Sequence, residues 1–283
     1  MTLFGFIYAL CAGMVQGVTE WLPVSSTGHL ILLGSLFPRD KIPFLTPSFE
    51  ALSDVAIQLS SVVAVMILYF DRLNPLSRKK SADEKRECRS LLAKIAVATV
   101  PAAVFGFFLD NFLTKTVFSP DVAPYVVAAS LAVYGALFIA VERKNRGREY
   151  RITEPEAIDY KTALGVGAFQ VLSLIPGTSR SGSTILGASA LGVSRRASSE
   201  FSFFMAIPVM FGATALRAAK FAASGVSLTT EQTAVLAVSS VTAFLVSTVT
   251  VKFLISFVRN HTFIPFGVYR IALAAAVLIS RFA

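Results

Sequence analysis

Pro176-Gly177-Thr178-Ser179-Arg180-Ser181-Gly182-Ser183-Thr184 stands between two apolar runs, Val171 to Ile175 and Ile185 to Leu191. Glycine lets a ligand approach the backbone closely, hydroxyls and freed N–H groups donate hydrogen bonds, and the guanidinium of Arg180 is a planar double donor suited to phosphate. The stretch reads as an anion cradle. A second polar break lies near the N-terminus: Gln16-Gly17-Val18-Thr19-Glu20-Trp21-Leu22-Pro23-Val24-Ser25-Ser26-Thr27-Gly28-His29, which adds a carboxylate, an imidazole and more hydroxyls. One such break in each half of an apolar chain points to a single site supplied from both.

The surrounding composition sets the solvent. Of 283 residues 54% are hydrophobic and 15% charged, and the mean hydropathy is +0.67, whereas a soluble domain carries about 25% charged residues. The reading is a polytopic, all-α integral membrane protein. The formal charge of +9 does not indicate nucleic acid, because the bases cluster in the gaps between apolar runs as the positive-inside rule expects. Cys11 and Cys88 form no framework and match no metal spacing. The first basic residue is Arg39, so no signal peptide of the usual kind is expected at the N-terminus.

Six transmembrane helices are expected, near 48–70, 91–109, 123–141, 201–221, 235–257 and 266–279. Basic loops at 71–90 and 143–151 mark the cytoplasmic side, with Arg195, Arg196, Arg259 and His261 falling on the same side. The turn from Asp110 to Asp121 is poor in bases. Neither half of 3–37 nor of 160–191 is long enough to cross ~30 Å of hydrocarbon. Each is therefore expected to be a re-entrant helical hairpin, its broken tip surrounded by protein or a wet cavity. Gln16, Leu22-Pro23 and Ser26 echo Gln170, Ile175-Pro176 and Ser179 at an offset of about 153 residues. A hairpin plus three spans is an odd number of crossings, which makes the second copy inverted. The layout is one membrane domain, 1–283, built as an inverted-topology repeat of 1–145 and 155–283, with both tips meeting near the midplane.

Individual positions then take chemical meaning. Gln16 and Glu20 share a helix face, and a carboxylate beside an amide oxygen suits a divalent cation such as Mg²⁺ or Ca²⁺. Gly13 and Gly17 mark close helix packing. Ser25, Ser26 and Thr27 offer a helix cap, phosphate-binding hydroxyls or a nucleophile, with His29 as a base if it lies close to Ser26. Arg180 needs an anion: Glu200, Glu20 or a phosphate. Gly177, Thr178, Ser179 and Ser181 around it favour phosphate. Lys252 and Arg270 lie in apolar spans, where snorkelling or pairing at a helix end explains a base as well as function does.

Together the two polar stretches, with Ile57-Gln58-Leu59 and Glu200-Phe201-Ser202-Phe203 before Pro208, closely resemble the undecaprenyl-diphosphate phosphatase family linked to bacitracin resistance. The resemblance runs over essentially the whole chain. It implies hydrolysis of undecaprenyl diphosphate to the monophosphate with a divalent cation, at the bacterial plasma (inner) membrane, recycling the lipid carrier of wall synthesis. It places Glu20 at the essential acidic position, Ser26 as nucleophile, His29 as assisting base or acid, and Arg180 on the phosphates. The family pattern often has Glu where this chain has Gln16, which weakens any mechanism that needs two carboxylates on the metal. The partners implied are the polyprenyl diphosphate and the bilayer, with an active site opening to the extracytoplasmic side; a homodimer is compatible with all of this. A transporter or lipid flippase is the rival, since inverted repeats with broken helices at the midplane are also a transporter layout. The Ser-Thr-Gly-His run alone would suit the unrelated acid phosphatases, whose further arginine, histidine and aspartate pattern is missing.

Overall fold

The structure, a computed structural model, describes residues 1–37, 39–117, 119 and 121–282. Among these the regular secondary structure is helical, apart from an isolated bridge between Ile152 and Val193. Its helices are α1 (Leu3–Thr19), α2 (Ser26–Leu36), α3 (Pro47–Leu68), the one-turn α4 (Phe70–Leu73), α5 (Ala82–Phe112), α6 (Ala123–Lys144), α7 (Tyr160–Val171), α8 (Arg180–Ala190), α9 (Arg195–Ala223), α10 (Thr230–Asn260) and α11 (Ile264–Phe282). Five of them, α3, α5, α6, α9 and α10, are long and apolar enough to cross a membrane. The sixth expected span, α11, is a shorter apolar helix over its described residues. Phe118 and Pro120 of the base-poor turn lie outside the described residues.

Helix starts follow local sequence. Thr2, Thr46, Asp159 and Ser194 each accept a hydrogen bond from a backbone N–H three residues on, and Thr229 with Gln232 closes a full capping box at α10. Each cap satisfies donors that a helix start otherwise leaves open.

The packing is reciprocal. The N-terminal arm α1 lies on α10 of the second half, and the corresponding arm α7 lies on α5 of the first; α3 pairs with α9 and α6 with α11. Small residues permit these approaches. A Cβ at Gly13 would meet Ser239 O at 2.5 Å, and one at Gly167 would meet Ala98 O at 2.3 Å. The expectation that Gly13 and Gly17 serve packing is met on α10, where a Cβ on Gly17 would come within 2.7 Å of Val246. The largest apolar core gathers Trp21, Leu91, Phe138, Phe201, Phe203, Phe204 and Leu254 from both halves. Trp21 meets Phe203 edge to face at 5.1 Å.

Ion pairs tie the helix ends on the face that carries the basic loops. Arg72 holds Glu154, Glu156 and Glu200 at 3.0, 2.6 and 2.7 Å, and Arg195 holds Glu142 at 2.7 Å. Burial pushes the Glu156 carboxyl up, but the Arg72 hydrogen bond and charge outweigh it and leave the group below its ordinary range.

Gly167→Val should lower the thermal midpoint of the purified chain, the overpacking costing about 1–3 kcal/mol. An unchanged midpoint would refute the close approach of α7 to α5.

Candidate active site

Both polar stretches fold into the same kind of break. α1 ends at Thr19 and α2 begins at Ser26; α7 ends at Val171 and α8 begins at Arg180. Ser25 and Ser179 are the two non-glycine residues with positive φ among the described residues, at 75° and 69°. Each caps the following helix by accepting from a glycine N–H three residues on, Gly28 and Gly182. These two serines are 154 positions apart, as are Gln16 and Gln170 and the packing glycines Gly13 and Gly167. The structural register is therefore one residue off the proline-based offset: Ser25, not Ser26, matches Ser179, and Ser26 falls opposite Arg180. The prolines mislead because Pro23 stands two residues before its cap and Pro176 three before its own.

The tips touch, and the contact is ionic. Arg180 Nη2 donates to Glu20 Oε1 at 3.1 Å, with the two side chains 8% and 5% exposed. Glu20 Oε2 accepts from Gln16 Nε2 at 2.9 Å. Arg180 Nη1 donates to Ser202 O at 2.8 Å and to Ser202 Oγ at 3.3 Å, and the guanidinium lies over the Trp21 ring at 5.8 Å. Of the two candidate carboxylates for Arg180, the structure pairs it with Glu20. Glu200 is taken by Arg72 and Arg196.

The neighbouring hydroxyls shape the loops. Thr178 Oγ1 donates to Leu172 O and Ile175 O, and Ser181 Oγ donates to Glu20 O and Leu22 O across the junction. Ser179 Oγ is shared between Gly182 N and Ser181 Oγ. Gly177, at φ 89°, packs where a Cβ would meet the Val127 backbone at 2.6 Å. Ser26 and Thr27 are half-buried, and among the described residues their hydroxyls make no hydrogen bond within the chain. His29 does not face Ser26. Its Nδ1 donates to Ser25 O at 2.7 Å, which leaves Nε2 to accept from Tyr269 Oη at 2.6 Å, with the rings stacked 5.6 Å apart.

Sequence reasoning left Arg270 open between a snorkelling or helix-end base and a functional one; the structure places it between the two tips. It is 0% exposed. Nη1 donates to Pro23 O at 3.0 Å, and Nη2 donates to Gly177 O and Thr178 O at 2.8 and 2.9 Å. One guanidinium thus binds both tips, with the Tyr134 ring beneath it at 5.4 Å. A buried cation paired with carbonyls and a ring rather than an acid is uncommon. It was a signal available in the sequence only as an arginine inside an apolar run.

The donor set fits a cation in part. Gln16 Oε1 is buried and without a partner beside the Glu20 carboxylate, an orphaned hard oxygen of the sort that Mg²⁺ or Ca²⁺ accepts. No group of three or more His, Cys, Asp or Glu that could hold a metal occurs among the described residues. The pair therefore suits an ion whose remaining ligands are substrate oxygens and water.

A cavity of about 590 Å³ lies beside the second tip, lined by Gln58, Thr99, Gln170, Ser173 and Arg217 among apolar residues of α3, α5 and α9. Both amide atoms of Gln170 are buried and unpartnered.

Arg270→Met should lower the thermal midpoint and reduce activity at least about tenfold, since buried carbonyls left without donors cost on the order of 1–3 kcal/mol each. Arg270→Lys should fall between. A variant as stable and active as the parent would show that the tips do not need this clamp.

The family model described as bacitracin resistance protein BacA matches residues 9–276. The chain is 44% identical over 270 residues to the undecaprenyl-diphosphatase of Enterococcus faecalis, covering 95% of each chain. It is 44% identical over 281 residues to that of Streptococcus mutans, covering 98% of this chain and 96% of the relative, and 44% identical over 280 residues to that of Leuconostoc citreum, covering 98% and 97%. With both tips and nearly the whole length inside these matches, the chain belongs to the bacitracin resistance protein BacA family.

Proposed function

We propose that this chain hydrolyses undecaprenyl diphosphate to undecaprenyl phosphate and inorganic phosphate, recycling the lipid carrier of cell-wall synthesis and so conferring bacitracin resistance. The observation that carries the reading is the buried Glu20–Arg180 contact between two broken-helix tips, set in a chain whose relatives bear the name undecaprenyl-diphosphatase. Two ionisable groups at this depth are costly unless they are used.

In this reading the protein sits in the plasma membrane with six spans and two re-entrant hairpins, the halves 1–145 and 155–283 being inverted copies. The matched caps at Ser25 and Ser179 and the reciprocal packing of α1 on α10 and α7 on α5 support the repeat. The site opens to the extracytoplasmic side. The cavity bounded by Gln170, Ser173 and the distal part of α9 lies toward the end of that helix remote from Arg195 and Arg196, and gives the diphosphate a route to the second tip. The polyprenyl tail stays in lipid.

At the junction Arg180 turns from Glu20 toward the terminal phosphate, whose oxygens suit its fork better than a single carboxylate oxygen at 3.1 Å. Gln16 and Glu20 would hold a divalent cation, which when bound supplies Lewis-acid stabilisation of phosphate charge. Ser26 Oγ or a water attacks the terminal phosphorus and gives its proton to a phosphate oxygen of the substrate, the P–O bond to the bridging oxygen breaks, and the lipid monophosphate leaves with that oxygen. With serine, water then cleaves the phosphoserine. The Ser26 hydroxyl is uncommitted within the chain, which favours serine; His29, tied to Ser25 O and Tyr269 Oη, is better placed to orient the start of α2 than to take the Ser26 proton directly.

Purified protein with Mg²⁺ or Ca²⁺ should release phosphate from a polyprenyl diphosphate. No release under any cation, together with movement of the lipid across vesicles, would favour the flippase alternative. Arg180→Lys keeps a cation against Glu20 but loses the fork, and should lower turnover by about 10²-fold. Ser26→Ala should abolish a trappable phosphoserine; if it retains most activity, water is the nucleophile.

A further inference from the structure

On the face that carries the basic loops a second recess, about 380 Å³, lies between the end of α3 and the last turns of α10. Its lining is Leu68, Tyr69, Val251, Lys252, Ile255, Ser256 and Arg259. Lys252, Ser256 and Arg259 recur at four and three residues, so they form one stripe along the helix. All three are exposed. Among the described residues neither Lys252 nor Arg259 makes an ion pair or hydrogen bond with an acid. Glu200, whose charge acts on Tyr69, is already held by Arg72 at 2.7 Å and by Arg196 at 3.2 Å. Lys252 is two turns inside α10, with Phe253, Leu254 and Ile255 around it. A base so placed reaches toward the headgroup level, where an anionic phosphate stabilises it.

We propose that this recess binds the phosphate headgroup of an anionic glycerophospholipid from the adjacent leaflet. The phosphate lies between Lys252 and Arg259 and takes hydrogen bonds from Ser256 and Tyr69, while an acyl chain follows the apolar wall of Leu68, Val251 and Ile255. The pairing is that of a point charge and a planar fork on one anion. The occupant is a lipid of the leaflet on the basic side, which rests on the proposed membrane orientation. The site is separate from the tips: its lining shares no residue with the Glu20–Arg180 junction.

Native mass spectrometry of the purified full chain exposed to equimolar phosphatidylglycerol and phosphatidylcholine tests this. The parent should retain one phosphatidylglycerol in preference, and the double variant K252Q/R259Q should bind it roughly 30-fold more weakly, each base near an anionic leaflet contributing a several-fold effect. K252R/R259K should restore retention, and K144Q/R146Q, in the exposed basic loop, should leave it intact. Phosphate release from polyprenyl diphosphate should be unchanged in zwitterionic micelles, so failure here and failure of the phosphatase reading are read separately. Equal retention of both lipids, loss of retention in the loop variant as large as in the double variant, or displacement of phosphatidylglycerol by polyprenyl monophosphate at far lower concentration would overturn the assignment. If K252Q/R259Q does not fold, the single variants K252Q and R259Q carry the same expectation at roughly fivefold each.

Discussion

Everything at the centre of this protein depends on keeping one carboxylate and two guanidiniums out of water without leaving any of them uncompensated. Arg180 is neutralised by Glu20 across the gap between the tips, and Arg270 is solvated by three backbone carbonyls drawn from both tips. Removing one member of such a set exposes the desolvation cost of the other. The two broken segments therefore hold each other in place. The carbonyls that Arg270 collects belong to the non-helical turns that lead into α2 and α8, Pro23 on the first and Gly177 and Thr178 on the second, so the break in the secondary structure and the burial of the charge solve one another's problem.

The local geometry explains why hydroxyls crowd these loops. A serine at φ near 70° is strained, and each of the two is held by its own cap on a glycine N–H. Thr178 adds a second hydrogen bond to Leu172 O and Ile175 O, which already accept backbone N–H groups, and Ser181 donates to Glu20 O across the junction. Most hydroxyls of the cradle are thus engaged within the chain, and the groups at the tips without a partner are Gln16 Oε1, Trp21 Nε1, Arg180 Nε and Arg270 Nε, with the hydroxyls of Ser26 and Thr27.

Composition and the spacing of bases were enough to read a helical membrane chain with two interrupted segments, because the cost of polar groups in hydrocarbon leaves a strong mark on sequence. The pairing of Glu20 with Arg180 was legible as one of three options, since 160 residues separate them and only topology brings them together. Arg270 was not legible as a clamp. Its partners are carbonyls, which every residue has, so no side-chain pattern announces them. The His29–Ser26 expectation came from spacing, and three residues on a helix do place side chains on one face; what spacing could not reveal is Tyr269, 240 residues away, claiming the second ring nitrogen.

The two tips share a backbone and differ in chemistry at the positions that matter. Glu20 on the first stands opposite Leu174 on the second, and Ser26 opposite Arg180. An acid and its base on one tip would satisfy each other locally and lend nothing to the junction. Divided between two tips, the same pair binds the halves together while no ligand is present, and a phosphate arriving between them competes with Glu20 for a guanidinium whose Nε is buried without a partner. On the proposed reading, the interaction that closes the site is the one a substrate would replace, and the free energy lost at Glu20 on that exchange would be recovered by an anion able to engage the planar fork.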